Sequence, residues 1–134
     1  NDNMPYYTVT RIVDILSSNG LALKGANILV LGLTFKENIS DTRNSPAIKI
    51  MELLAERRAS VSYSDYNVPS IEIAGASLRS VDLSPETIQS FDAVILLVAH
   101  REFDLPMVAE NTKLLIDTKN AAKGLKSQPN IIRV

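Results

Sequence analysis

Two lysines, one histidine and several acidic side chains follow predicted buried strands in this sequence, and they are its candidates for chemistry. Lys36 follows one strand, His100 a second and Lys119 a third. Because the carboxyl ends of parallel strands meet at one edge of a sheet, we expect these side chains to share a rim. Two cations on one rim suit a diphosphate or a carboxylate ligand. The residues alone favour a plainer interpretation, in which both lysines are solvated surface side chains.

The single histidine and a neighbouring tyrosine are weaker candidates. His100 follows a buried strand, where it could transfer a proton. We identify no carboxylate or serine partner for it from the sequence, so we expect a structural role at the rim. Tyr66 follows another strand, and we expect it to pack rather than to stack on a base.

The predicted loop at residues 32–44 is the most informative segment. It joins a buried strand at residues 28–31 to a helix that begins at Ser45 and Pro46, which suit an N-cap and a first turn. Loops of this kind usually have about 2–6 residues, and longer ones are often functional. The loop has neither the G-x-G-x-x-G spacing of a dinucleotide site nor the Walker pattern. A phosphate would therefore be bound by side chains such as Lys36, with help from the helix start.

Strands alternate with helices along the chain. Apolar spacing predicts helices at residues 6–18, 46–57, 84–90 and 105–110. Apolar runs predict further strands at residues 61–64, 93–99, 114–116 and 131–134. We also expect a loop, a short edge strand and one helical turn at residues 67–77, 78–81 and 121–125. This order predicts an α/β fold, a Rossmann-like three-layer αβα sandwich with a mainly parallel sheet of five or six strands.

Composition narrows the classes of partner. The formal net charge is −1 and both signs are mixed along the chain, so we expect no nucleic-acid partner. No apolar run is long enough to span a membrane and no signal-peptide pattern is present, which predicts a cytoplasmic protein without a membrane partner. The sequence contains no cysteine, which excludes a thiolate metal site and a cysteine nucleophile within it. We expect no metal site.

Residues 32–46, GLTFKENISDTRNSP, resemble the G-x-x-[FY]-K-x-x-x-x-D-T-R-x-S-P signature of the UDP-glucose/GDP-mannose dehydrogenase family. The resemblance to the C-terminal, UDP-binding domain of that family covers essentially the whole chain. It implies a helical lead-in at residues 1–24 from the parent enzyme's central region, followed by the UDP-binding domain at residues 25–134. The opening N-D-x-M-P resembles the end of that central region, which builds a homodimer in the family.

The resemblance also implies roles for individual residues. The aromatic–lysine pair of the family's first loop contacts the UDP part of the substrate, and it corresponds to Phe35 and Lys36. Where the family often has an arginine after a later strand, this chain has Lys119, which keeps the charge but loses the bidentate fork. The D-T-R-x-S-P part is interpreted as shaping the loop, through Asp41, Arg43 and Ser45. Contact between this arginine and the ligand is the less favoured alternative.

The family's reaction oxidises the C6 alcohol of a UDP-sugar twice, through a thiohemiacetal on a catalytic cysteine, with NAD as the hydride acceptor. This chain has neither that cysteine nor the NAD fingerprint. We therefore expect an NAD-dependent UDP-sugar 6-dehydrogenase as the parent, but no catalytic residue, no bound NAD and no activity in this chain alone. Its partners would be the UDP-sugar and the parent's NAD-binding and central domains. The runs VAHREF and DTKNA resemble the N-acetylhexosamine branch, which favours UDP-N-acetylmannosamine or UDP-N-acetylglucosamine over UDP-glucose.

Two other functions fit an α/β domain of this size. A flavodoxin-like signalling domain, such as a phospho-receiver, would need an acidic pair after the first strand and an aspartate after a central one. Those two strands instead precede Gly-Leu-Thr and Ala-His. A stand-alone nucleotide-binding module for NAD would need the missing glycine pattern. Both alternatives are less favoured than the UDP-binding domain.

Overall fold

The computed structural model describes residues 3–34, 45–122, 125 and 128–134. The helices in these ranges are α1 (Met4–Ser18), α2 (Pro46–Glu56), α3 (Pro85–Gln89) and α4 (Leu105–Asn111). The strands are β1 (Asn27–Leu31), β2 (Ser60–Ser64), β3 (Ser70–Ile73), β4 (Ala76–Arg79), β5 (Ala93–Leu96), β6 (Leu115–Asp117) and β7 (Ile131–Arg133).

Five of the described strands form one sheet in the order β2-β1-β5-β6-β7, in which every pairing is parallel. This confirms the predicted α/β architecture. The chain builds outward in one direction from β1 to β2 and in the other direction from β5 to β7. The strand order therefore reverses between β1 and β5, which makes a topological switch point where open α/β sheets bind ligands.

Both faces of the central strands are covered, which explains why they lack polar alternation. In β1, Ile28 and Val30 belong to the apolar cluster that includes α1 and α2. Leu29 and Leu31 belong to the opposite cluster, which includes α3 and α4. All four side chains are fully buried. A strand buried on both faces reads as a continuous apolar run, as in parallel sheets generally.

Helix α1 packs into the same apolar cluster as α2. Its buried side chains Val9, Ile12 and Leu16 recur at intervals of three and four residues, so they lie on one face of the helix. The helix ends at Asn19-Gly20, where the glycine has a φ of +77°. The division of the chain into a lead-in and a UDP-binding domain stays a prediction.

A β-hairpin occupies the segment where the sequence predicts a loop and an edge strand. Strands β3 and β4 pair antiparallel as a separate two-stranded sheet. Ala74 and Gly75 form the turn, with φ values of 51° and 81°. The prediction was wrong because Ala-Gly is not among the common hairpin dipeptides such as Asn-Gly. After the hairpin, the Val81 N–H donates to the Tyr63 carbonyl at 2.8 Å, so this segment lies along the outer edge of β2.

Two smaller predictions also differ from the structure. Strand β5 ends at Leu96 rather than at residue 99, because the backbone bends at residues 97 and 98. Residues 121 and 122 form a turn rather than a helix, and their N–H groups donate to the Asp117 carboxylate.

Gly32, directly after β1, has a backbone that only glycine can adopt at this place without strain. Its φ is +86°, and a Cβ atom built there would lie 2.2 Å from the Val98 carbonyl oxygen. The glycine therefore allows the end of β1 to approach the segment after β5. Its N–H donates to the Ser64 carbonyl at 3.0 Å, which ties it to the end of β2 as well.

Replacement of this glycine provides a test of the close approach. Gly32→Ala should lower the free energy of unfolding by about 3 kcal/mol or more, because it combines a strained φ with a backbone clash. Gly20→Ala is a matched control, since its φ is +77° but nothing lies within 4 Å of the added Cβ. The control should cost about 1 kcal/mol. Equal losses for the two variants in urea unfolding would contradict the close approach.

Candidate functional site

The carboxyl ends of four strands meet at one edge of the sheet. The register pairs Leu31 with Ser64 and with Leu96, and Leu96 with Asp117, so β2, β1, β5 and β6 finish in one row. We call the segments that follow them the carboxyl rim: residues 32–34, 65–67, 97–100 and 118–120. The carboxyl rim contains the switch point. It also contains residues 32–34, the described beginning of the loop between β1 and α2, which we call the first stem of the loop.

Asp65 joins three of these segments. Its side chain is fully buried, and its Oδ2 accepts hydrogen bonds from the N–H groups of Leu33 at 2.6 Å and Thr34 at 3.0 Å. Its Oδ1 accepts from the Asn67 N–H at 2.8 Å. A buried carboxylate is costly unless donors surround it, and here backbone N–H groups supply them. The end of β1 is therefore held to the end of β2 by a side chain.

His100, in the segment after β5, also approaches the Asp65 carboxylate. Its Nε2 lies 3.3 Å from Asp65 Oδ2, and its side chain is 8% exposed. The ring also meets Phe103 edge-on, with centroids 5.4 Å apart. The sequence alone identified no carboxylate partner for His100, and the structure supplies one in Asp65. This partner is distant in sequence and follows β2, which is not a neighbour of β5 in the sheet, although both residues directly follow predicted strands.

Ser45 has a different contact from the one its position suggests. It occupies the N-cap position of α2, but its side chain makes no capping hydrogen bond. Its hydroxyl instead donates to the Leu33 carbonyl. The N–H of Leu33 is bound by Asp65 and its carbonyl by Ser45, so the two stems of the long loop meet at one buried residue.

Asp117 organises the rim after β6 in a similar way. This fully buried carboxylate accepts hydrogen bonds from the N–H groups of Lys119 at 2.9 Å, Ala121 at 3.2 Å and Ala122 at 2.8 Å. Asn120 completes the turn with a φ of +54°. The backbone around Lys119 is thereby fixed, while its side chain is exposed at the rim.

The other predicted site residues have two different outcomes. Four of them, Phe35, Lys36, Asp41 and Arg43, lie outside the described residues, so their roles stay predictions. Tyr66 is 77% exposed, and the expectation that it packs was wrong. The residue that sequence reasoning missed as a site organiser is Asp65. Its place directly after a strand was a usable signal, since such positions line the rim of a parallel sheet.

The structure gives no sign of a metal centre or a membrane span in the residues it describes. No group of three or more His, Cys, Asp or Glu side chains in these ranges is arranged to hold a metal ion. None of the described helices is long and apolar enough to cross a bilayer.

Tyr63, on β2 beneath the rim, has a perturbed acidity. Burial, and then the negative charge of Asp65, raise the pKa of Tyr63 from 10.0 to about 12. Its hydroxyl donates to the Val68 carbonyl at 2.7 Å, so the neutral phenol supports the turn after Asp65.

This pKa shift predicts a loss of stability at alkaline pH. A folded-state pKa above the unfolded value stabilises the fold fully below pH 10.0, and that contribution is lost as the pH rises through about 12. Tyr63→Phe should cost about 1 kcal/mol at neutral pH, through the lost hydrogen bond. Its free energy of unfolding should then fall less steeply than that of the unaltered chain above pH 10.0.

The exposed Tyr66 offers the matched control for this measurement. Tyr66→Phe removes a hydroxyl from a side chain that is 77% exposed, and we expect it to leave the pH dependence unchanged. Chemical unfolding across the alkaline range compares the three proteins. Identical slopes for Tyr63→Phe and the unaltered chain would show that the buried phenol is not responsible.

A parallel sheet whose strand order reverses at its carboxyl rim defines a Rossmann-like α/β domain. Residues 29–124 match the family described as UDP-glucose/GDP-mannose dehydrogenase family, UDP binding domain. The chain belongs to this family. The match covers the carboxyl ends of β1, β2, β5 and β6, which form the carboxyl rim, and it does not favour the signalling or NAD-module alternatives.

Known relatives agree with this family. The chain is 34% identical over 128 residues to a UDP-N-acetyl-D-mannosamine dehydrogenase of Methanococcus vannielii, covering 90% of this chain and 28% of the relative. It is 35% identical over 126 residues to a UDP-N-acetyl-D-glucosamine 6-dehydrogenase of Pseudomonas aeruginosa, covering 94% and 29%. The chain thus spans less than a third of the curated relatives it matches.

A solved structure supports the fold independently. The UDP-D-ManNAc dehydrogenase of Pyrococcus horikoshii superposes with a TM-score of 0.74 at 23% identity. The superposition covers 100% of this chain and 31% of that one. At this identity the likeness concerns the fold alone.

Proposed function

We propose that this chain binds the UDP part of a UDP-sugar at its carboxyl rim, within an NAD-dependent UDP-sugar 6-dehydrogenase. The observation that carries the proposal is the family match, because it covers the carboxyl ends of the four strands that form the rim. In this proposal Phe35 packs on the nucleotide, Lys36 neutralises phosphate charge, and Lys119 supplies a second cation from the end of β6. Asp41, Arg43 and Ser45 shape the loop between β1 and α2.

The geometry of Lys119 supports its part in this proposal. Its backbone is held by Asp117 while its side chain is exposed, so the charge is presented from a fixed turn. An ammonium group acts on a diphosphate as a point charge, without the planar fork of arginine. We therefore assign it charge neutralisation rather than orientation of the ligand.

Two features of the carboxyl rim support the proposal that NAD binds elsewhere in the parent enzyme. A dinucleotide site uses several glycines for the pyrophosphate and an acidic residue after β2 for the ribose. Here Gly32 is needed for contact with the segment after β5, and the carboxylate after β2 is fully buried with its oxygens bound by backbone N–H groups. NAD and the catalytic cysteine would then belong to other domains of the parent enzyme, which we propose as a cytoplasmic homodimer.

The proposed substrate is UDP-N-acetylmannosamine, with UDP-N-acetylglucosamine as the alternative. Relatives that carry these two names match at 34% and 35% identity. The matched part excludes most of each relative, so the sugar itself would be contacted chiefly by polypeptide outside this chain.

Titration of UDP into the 134-residue chain tests the site. Binding should shift the amide resonances around Lys119 and in the loop after β1. Lys36→Ala should weaken UDP binding about tenfold and Lys119→Ala somewhat less, because each removes a charge from the phosphates. Lys113→Ala is the matched control, since this exposed lysine precedes β6 and lies at the opposite edge of the sheet.

The pattern of losses distinguishes a site from general charge attraction. If all three lysine variants weakened UDP binding equally, net charge alone would explain the interaction. That result would contradict the assignment of the site. Amide resonance shifts confined to the opposite edge of the sheet on addition of UDP would also contradict the assignment of the site.

A separate measurement tests the division of labour in the parent. The isolated chain, mixed with NAD and UDP-N-acetylmannosamine, should form no NADH, because the cysteine nucleophile is absent. NADH formation by the purified chain would overturn this part of the proposal.

A further inference from the structure

Asp65 is placed to control where the long loop leaves the sheet. Its Oδ2 accepts from two consecutive backbone N–H groups, Leu33 and Thr34, at 2.6 and 3.0 Å. Its own backbone N–H donates to Ser80 Oγ at 2.9 Å, so the backbone of Asp65 is also held by the segment after the hairpin. Two donors from adjacent residues determine both the position and the direction of the chain at that point.

The carboxylate is not available as a ligand group itself. It is fully buried, and both oxygens already accept hydrogen bonds from backbone N–H groups. A negative charge would also disfavour a nearby phosphate. Its contribution to a phosphate ligand is therefore indirect, through the backbone that it holds.

His100 extends this contact to the segment after β5. Its Nε2 approaches the same Oδ2 that receives the two loop N–H groups, and Phe103 packs against the ring. The carboxylate thus joins the ends of β1, β2 and β5 across the switch point.

We propose that Asp65 is a positioning residue for UDP binding, which sets the first stem of the β1–α2 loop, and that His100 restrains it from the β5 side. This inference rests on the proposed function, because it concerns the affinity for UDP. Neither residue contacts the ligand. The expected effect is a change in affinity that exceeds the effect of stability loss alone.

Asp65→Asn tests the inference with almost no change of shape. An amide has one acceptor and one donor end, so it cannot accept from Leu33 and Thr34 on one side and from Asn67 on the other. We expect the dissociation constant for UDP, measured by calorimetry, to rise about tenfold. The amide resonances of Leu33 and Thr34 should move in the unliganded protein.

Two variants at the amino edge of the sheet serve as controls. Asp92→Asn changes a carboxylate that accepts from the Asn27 N–H at 2.8 Å, which is the same kind of contact at the other end of β1. Thr112→Val removes buried hydrogen bonds to the Leu114 backbone and should lower the melting temperature. Both should leave the dissociation constant for UDP within about twofold of the unaltered chain.

The histidine is tested by substitution and rescue. His100→Leu removes the nitrogen near the carboxylate and should weaken UDP binding about threefold, whereas His100→Gln restores a donor and should recover most of it. In the double variant with Asp65→Asn, the two losses should be less than additive, because both act through one carboxylate.

The outcomes separate the two proposals. If the unaltered chain binds UDP and Asp65→Asn binds it equally well, the inference is wrong and the proposed function stands. If Thr112→Val weakens binding as much as Asp65→Asn at a similar melting temperature, the effect is one of stability and the inference is also wrong. If the unaltered chain does not bind UDP, the proposed function fails and the inference fails with it.

Discussion

The carboxyl rim depends on the cost of burying a negative charge. A carboxylate removed from water must be surrounded by donors, and three backbone N–H groups supply them at Asp65. These N–H groups belong to two segments, one after β1 and one after β2. The electrostatic requirement of one side chain therefore determines the geometry of the chain around it.

The same solution occurs twice at this edge. Asp117, also fully buried, accepts from three N–H groups of the turn after β6. Asp117 is the last residue of β6 and accepts from the backbone that follows it, whereas Asp65 directly follows β2 and also accepts from the segment after β1. Polar residues at the ends of parallel strands are commonly interpreted as ligand groups. Here two of them instead hold the backbone of the rim segments in place.

The sequence predicts the central sheet well because burial on both faces leaves a strong signal. The apolar run of β1, like that of β5, needs no tertiary information to be recognised. Contacts between distant residues are different, since Asp65 and His100 meet only after two strands have been aligned in register. Ser45 shows a third situation: its type suits an N-cap, but the nearby Leu33 carbonyl is the partner its hydroxyl takes. The hairpin was missed because its turn is formed by Ala-Gly, a pair that competes poorly as a local signal.

The segment after the hairpin has a consequence for how the molecule behaves at high concentration. Strand β2 lies at the outside of the sheet, where unpaired backbone groups would be a template for strands of other molecules. The contact between the Val81 N–H and the Tyr63 carbonyl occupies part of that template. The segment after the hairpin, which is not a strand of the main sheet, thus covers part of the β2 edge and disfavours edge-to-edge aggregation.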